Sequence, residues 1–221
     1  MPPFKALLFD LDGTLVDSTA VVNHVMEAWC LRHHLPVREV LATFHGQRTK
    51  DTVALFAPHL NAKAEAEALD AEERDAMGSL LPIAGAGVFL NDLHGCRWGI
   101  VTSSTEVVAR FKLNTCKLPV PPVLITADVV THGKPHAEPF LRAASAMNLP
   151  PAQCLVFEDA DSGVRSALDA GCCVVVVGDH CQIQHERILL RVPTFEGLQF
   201  EPSGNLLWKG QPVAVVEVAA T

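Results

Sequence analysis

Five short apolar runs, each bounded by polar residues or glycine, constrain this chain most: Ala6 to Phe9, Trp98 to Val101, Val123 to Ile125, Cys154 to Phe157 and Cys172 to Val177. They are apolar throughout rather than at alternate positions, as a strand covered on both faces requires. Helical stretches lie between them at Gly87 to Leu93, Thr105 to Leu113, Ala137 to Met147 and Ser162 to Ala170, the last stopped by Gly171. Alternating strands and helices predict an α/β fold with a doubly wound, mostly parallel sheet. With 221 residues, 49% of them hydrophobic and 19% charged, the chain can build one such core and carry a smaller insertion.

The insertion is visible as a break in the alternation. From about Ser18 to Leu80 there is only helical pattern: Val21, Val22, Val25, Met26 and Trp29 recur at helical spacing, and Asn61 to Leu81 is rich in Ala, Glu and Leu. The expected division is a core of residues 1–16 and 82–221 with a helical subdomain at 17–81, Pro82 and Gly85 marking the return. Beyond Phe195, turn signals at Pro202 to Asn205 and Lys209 to Pro212 flank Leu206 to Trp208 and precede Val213 to Val218. That pattern predicts a terminal β-hairpin, packed by default on the sheet edge.

Composition excludes several classes. A formal net charge of -8 disfavours a nucleic-acid footprint, so any phosphate must be held locally by a metal or a few placed donors. No uninterrupted apolar run reaches the length of a membrane span, and Ala6 to Phe9 is too short for a signal peptide. The seven cysteines are odd in number and show no Cys-x-x-Cys pair, so they are expected to be reduced, mostly buried thiols of a cytoplasmic protein. Cys172 and Cys173 open an apolar run and are expected to pack in the core.

Chemistry concentrates at strand ends. In Leu8-Phe9-Asp10-Leu11-Asp12-Gly13-Thr14 an apolar strand delivers two carboxylates at i and i+2, roughly 7 Å apart on one side of an extended chain. That spacing suits carboxyls flanking one tetrahedral group, Asp10 attacking and Asp12 handling a proton. Alone, the motif is equally a polar turn. In Ile100-Val101-Thr102-Ser103-Ser104 a strand ends in hydroxyls that can hold phosphate oxygens or simply cap the next helix. Gly133-Lys134-Pro135 offers a point charge on a restrained loop, where an unremarkable solvated lysine is the alternative. Glu158 and Asp159 end a buried strand, a costly placement for adjacent acids unless they are paired or hold a cation such as Mg2+. Asp161 is the candidate cap of a helix starting near Ser162.

In this order on successive strands, the four sites resemble the haloacid dehalogenase-like hydrolase superfamily. The resemblance spans the chain to about Val177 and implies a Rossmann-like core with an inserted helical cap. It further implies that Asp10 is the nucleophile phosphorylated in the reaction and Asp12 the acid that protonates the leaving oxygen and then activates water. Thr102 and Lys134 would hold the transferring group. Mg2+ would sit on Asp10, the main-chain carbonyl of Asp12 and Asp159, with Glu158 an additional ligand or one step behind. The acid at position 12 favours phosphoryl transfer over dehalogenation.

Within the insertion, His45-Gly46-Gln47-Arg48-Thr49, together with Gly133-Lys134-Pro135-His136, resembles the subgroup of glycerol-phosphate, 2-deoxyglucose-6-phosphate and broad sugar phosphatases. His45, Gly46 and Arg48 thereby become candidates for substrate contact beside Ser103. The implied reaction is hydrolysis of a small phosphorylated sugar or polyol, without nucleic-acid or membrane partners, by an expected monomer. The rivals are a β-phosphoglucomutase-like sugar phosphomutase, which uses the same four sites, and a non-catalytic phosphate-binding module, which would usually have lost one of the acids.

Overall fold

The computed structural model describes residues 4–78 and 80–213. Its core is a six-stranded parallel sheet with the order β3-β2-β1-β4-β5-β6. The strands are β1 (Ala6–Phe9), β2 (Arg97–Val101), β3 (Val123–Ile125), β4 (Cys154–Glu158), β5 (Cys173–Val177) and β6 (Ile188–Val192). The chain winds outward from β1 to β3, then crosses over and winds the other way. β1 therefore lies centrally at the point where strand order reverses, where open α/β sheets bind ligands.

The five apolar runs all become strands of this sheet. β6 was not anticipated: it is half-buried, contains Arg191 and forms an edge, so it lacks the apolar continuity of the inner strands. Alternation along β1 sends Leu7 and Phe9 into the apolar cluster on one face, and Ala6 and Leu8 into the other. α5 (Ala86–Asn91) and α6 (Glu106–Thr115) pack on the first face, α7 (Glu138–Ala146) and α8 (Asp161–Ala170) on the second. Cys173 and Cys172 fall into opposite clusters, and all seven cysteines are free thiols. α8 ends at Gly171 in the left-handed region (φ 94°), as expected. It begins one residue early, however: Ala160 is the residue before it, and Asp161 accepts a hydrogen bond from Gln182 N at 2.8 Å instead of capping.

Residues 17–76 form α1 (Thr19–Arg32), α2 (Val37–Thr43), α3 (Thr49–Phe56) and α4 (Ala62–Ala76), which share a third apolar cluster around Trp29, Val40, Val53 and Leu69. The two chain crossings to this segment run side by side, Asp17 N donating to Leu81 O at 2.9 Å. The tail adds a small antiparallel sheet of β7 (Leu198–Phe200), β8 (Leu206–Trp208) and β9 (Gln211–Pro212). The second arm of the expected hairpin, Val213 to Val218, lies largely outside the described residues; within them β8 pairs with β7 and with β9 at Gln211–Pro212, where a turn is expected from the sequence. Leu198 and Leu206 join the cluster on the β1 Phe9 face instead of resting at the sheet edge. Among the described residues no helix is long and apolar enough to cross a membrane.

The aromatic centre of that cluster is fully buried: Phe157 stacks on Phe9 at 4.8 Å between centroids and on Phe195 at 5.5 Å. Phe157→Ala is expected to lower unfolding free energy by about 3–5 kcal/mol, measured by urea denaturation.

Candidate active site

Parallel pairing with β2 and β4 puts the residues that follow β1 beside the ends of both neighbours, since Phe9 lies opposite Ile100 on one side and Phe157 on the other. Asp10 leaves β1 with its N–H donating to Phe157 O at 2.9 Å. Thr102 leaves β2, Glu158 ends β4, Asp159 follows it, and Lys134 enters on the loop after β3. All five of these side chains are buried.

Lys134 organises them. Its ammonium donates to Asp10 Oδ1 at 2.5 Å, Glu158 Oε1 at 2.6 Å and Val101 O at 2.9 Å. Glu158 Oε2 accepts the N–H groups of Asp159 and Ala160 at 3.0 and 3.2 Å. Asp159 Oδ1 accepts Thr14 Oγ1–H at 3.2 Å. Gly13, at φ +79°, lets Asp159 lie over the turn; a Cβ there would stand 2.2 Å from Asp159 Oδ2.

One ammonium faces an excess of acid. Ligand atoms of Asp10, Glu158 and Asp159 lie within 4.8 Å of one another. Burial pushes the Asp10 carboxyl up from its usual 3.8 to about 8, with Glu158 and Asp12 adding to the rise and Lys134 opposing it. Burial, then Glu158 and Asp10, likewise raise Asp159. Hard oxygen donors carrying uncompensated charge in a buried cleft fit a divalent cation of the Mg2+ type.

Asp12 belongs to a separate network. Its carboxylate accepts Ser104 Oγ–H at 2.9 Å and also meets Ser18 Oγ and Lys112 Nζ. Burial pushes Asp12 up, but the Lys112 ion pair and the hydroxyl donors outweigh it and hold the carboxyl below its ordinary value. Sequence reasoning missed Ser18, Lys112, Asp70 and Glu73, all of which line the same cavity as Asp10, Asp12, Thr102 and Asp159. A signal for Lys112 existed: it shares one side of α6 with Val108, Ala109 and Leu113, where a solvated lysine has no place.

The helical segment meets the core over this cleft. Ser103 Oγ–H donates to Gly46 O at 2.7 Å, and Ser162 Oγ–H donates to His45 O at 2.7 Å. Gly46, at φ +72°, is required by that approach, since a Cβ would come 2.3 Å from Ser162 Oγ. His45, Gly46 and Ser103 line the cavity. Arg48 does not, which corrects its candidacy for substrate contact. Its guanidinium is buried against Asp51 (Nε–Oδ2 2.6 Å) and donates to Val130 O and Thr131 O at 3.0 and 3.1 Å. It crosses Gly133, where a Cβ would stand 2.5 Å from Arg48 Nε, and so braces the loop that carries Lys134. Glu138 fastens the same loop, accepting the N–H groups of Thr131 and His132, both at 2.8 Å.

The family model described as haloacid dehalogenase-like hydrolase matches residues 4–171, and the chain belongs to that family of hydrolases. It is 39% identical to hexitol phosphatase A of Escherichia coli (strain K12) over 178 residues, covering 78% of this chain and 82% of the relative. It is 30% identical to glycerol-1-phosphate phosphohydrolase 1 of Saccharomyces cerevisiae, covering 77% and 73%. The fold is shared with β-phosphoglucomutase from Clostridium difficile at a TM-score of 0.75 and 19% identity, covering 89% of this chain and 94% of that one.

Two predictions follow from the geometry. Arg48→Met is expected to lower thermal stability and to reduce turnover of every substrate by a similar factor, because it loosens the Lys134 loop; thermal melts and kcat/KM across several esters check this. The second concerns pH. Because the folded protein holds the Asp10 proton more tightly than the unfolded chain, its contribution to stability is present below about 4 and lost as pH rises through about 8. In chelator the melting temperature should therefore fall as pH rises through that window, and added Mg2+ should restore it.

Proposed function

We propose that this chain is a Mg2+-dependent phosphatase of small phosphorylated sugars or polyols, working through an aspartyl-phosphate. The observation that carries this reading is the convergence of Asp10, Glu158 and Asp159 around Lys134 at the reversal point of the sheet. The phosphatase names of the sequence relatives support it. The seven free thiols support a cytoplasmic setting.

Asp10, Asp159 and the main-chain carbonyl of Asp12 would hold Mg2+, with Glu158 behind them through its tie to Lys134. When bound, the ion offsets repulsion between an anionic carboxylate and an anionic phosphate. Asp10 attacks phosphorus through a carboxylate oxygen, and the bond from phosphorus to the alcohol oxygen breaks. Lys134 and the hydroxyl and backbone N–H groups at Thr102 and Ser103 hold the phosphoryl oxygens. Asp12 gives its proton to the leaving alcohol oxygen. It is ionised in the free protein, so for the first turnover it takes up that proton from solvent as the phosphate brings negative charge beside it. In the second half Asp12 accepts a proton from water, which attacks the phosphoryl group on Asp10. Inorganic phosphate leaves and the Asp10 carboxylate is restored. The helical segment is the cap of this site, with His45 and Gly46 over the leaving group.

The test is phosphate release from a panel of sugar, polyol and nucleotide monophosphates with Mg2+. Release is expected from the sugar and polyol esters and should vanish in Asp10→Asn. Asp12→Asn should lose about 100- to 10,000-fold in kcat. Interconversion of sugar phosphates without net release, or no release from any ester, would overturn the proposal.

A further inference from the structure

Two further acids, Asp70 and Glu73, line the cavity that holds Asp10, and the reaction described above gives them no role. Asp70 and Glu73 stand three residues apart on α4, on one side of that helix, and both line the cavity with Thr19, His45 and Gln47. Asp70 is buried and accepts Thr105 Oγ1–H at 2.7 Å. Glu73 Oε1 lies 2.6 Å from Lys112 Nζ, with the two side chains 12% and 1% exposed. The same ammonium meets Asp12 and donates to Ser104 Oγ at 3.2 Å.

Among the described residues that line this cavity Lys112 is the one lysine or arginine, and its charge is already divided between two carboxylates. Lys134 is spent on Asp10 and Glu158, and Arg48 on Asp51 and two carbonyls. Beyond the phosphoryl position, the lining therefore offers acceptors and hydroxyls but no surplus cation. A second anion entering here would lose its water, gain no counter-ion and face like charges in a low-dielectric cleft. Hydroxyl groups meet the opposite situation, because carboxylates accept O–H donors.

We propose that Asp70 and the Glu73–Lys112 ion pair determine specificity, admitting phosphate esters whose far end is uncharged and hydroxylated and rejecting those that carry a second anion. This rests on the phosphatase reading. It also separates this chain from a mutase by chemistry: moving a phosphoryl group between two positions of one sugar through a phosphoenzyme passes through a bisphosphate. The second phosphate of such a species needs a cationic cradle, which the wall formed by α4 and α6 denies.

The experiment compares kcat/KM for glycerol 1-phosphate with that for 2-phosphoglycolate and fructose 1,6-bisphosphate, in the wild type and in Asp70→Asn, Glu73→Gln and Lys112→Met. The wild type should prefer the neutral ester by roughly a hundredfold, and Asp70→Asn and Glu73→Gln should each narrow that ratio by roughly tenfold, mostly through KM. Lys112→Met should move it the other way, because it removes the wall's only positive charge. A ratio is taken within one preparation, so loss of folded protein does not shift it. Phosphate release with the ratio unchanged in all three variants, or equal turnover of neutral and doubly anionic esters by the wild type, overturns the inference and leaves the phosphatase reading standing. Release from none of the esters overturns both.

Discussion

The position of a single ammonium group governs most of the site. Lys134 is buried among carboxylates that are themselves buried, and an ion in such a place is tolerable only when its partners are fixed. The surrounding structure supplies that fixing. Two backbone N–H groups hold Glu158, Thr14 and the Gly13 turn hold Asp159, and Arg48 with Glu138 holds the loop from which Lys134 reaches in. What remains is residual negative charge at the oxygens of Asp10 and Asp159. Burial and the neighbouring acids push both carboxyls up, so they hold their protons more tightly than free carboxyls do, and a bound cation would favour their ionised form.

The sheet makes such an arrangement possible. Parallel strands present their C-terminal ends along one edge, and the reversal of strand order at β1 opens a crevice there. Because Phe9 pairs in register with Ile100 and with Phe157, the residues leaving β1, β2 and β4 emerge side by side on adjacent strands. Apolar packing on both faces anchors the strand ends, so Asp10, Thr102, Glu158 and Asp159 sit at or just past rigid supports, while Lys134 reaches in from a braced loop.

Legibility followed physical cause. Inner strands were readable because burial on both faces leaves an uninterrupted apolar signature, and the site on them was readable because acids at the ends of such strands are costly. The edge strand β6 lacks that signature, and its Arg191 donates to Cys181 O at 2.9 Å, a role with no trace in periodicity. Arg48 misled for a related reason. A cation in a helical insertion suggests an anionic ligand, yet the sequence does not reveal that Asp51 and two carbonyls absorb its charge. Asp70 and Glu73 were hidden by composition: α4 is so rich in Ala, Glu and Asp that no side of it declares itself, and only tertiary packing selects which acids turn inward.

The same contacts bear on how a ligand enters. Over the cleft the helical segment is tied to the core by Ser103 to Gly46, Ser162 to His45, Thr105 to Asp70 and Lys112 to Glu73, with Arg48 to Val130 and Thr131 at the side. A neutral hydrogen bond that exchanges with water contributes only about 1 kcal/mol net, so the first two are weak latches. The Lys112 to Glu73 contact differs in kind, because parting it strands charges that are now buried together. Under the proposed cap reading, opening depends on water reaching those two groups as they separate, and closing depends on a ligand that can replace that water. An ester bearing hydroxyls does so. The polar contact that shuts the cleft and the polar contact that selects its occupant are then the same pair of side chains.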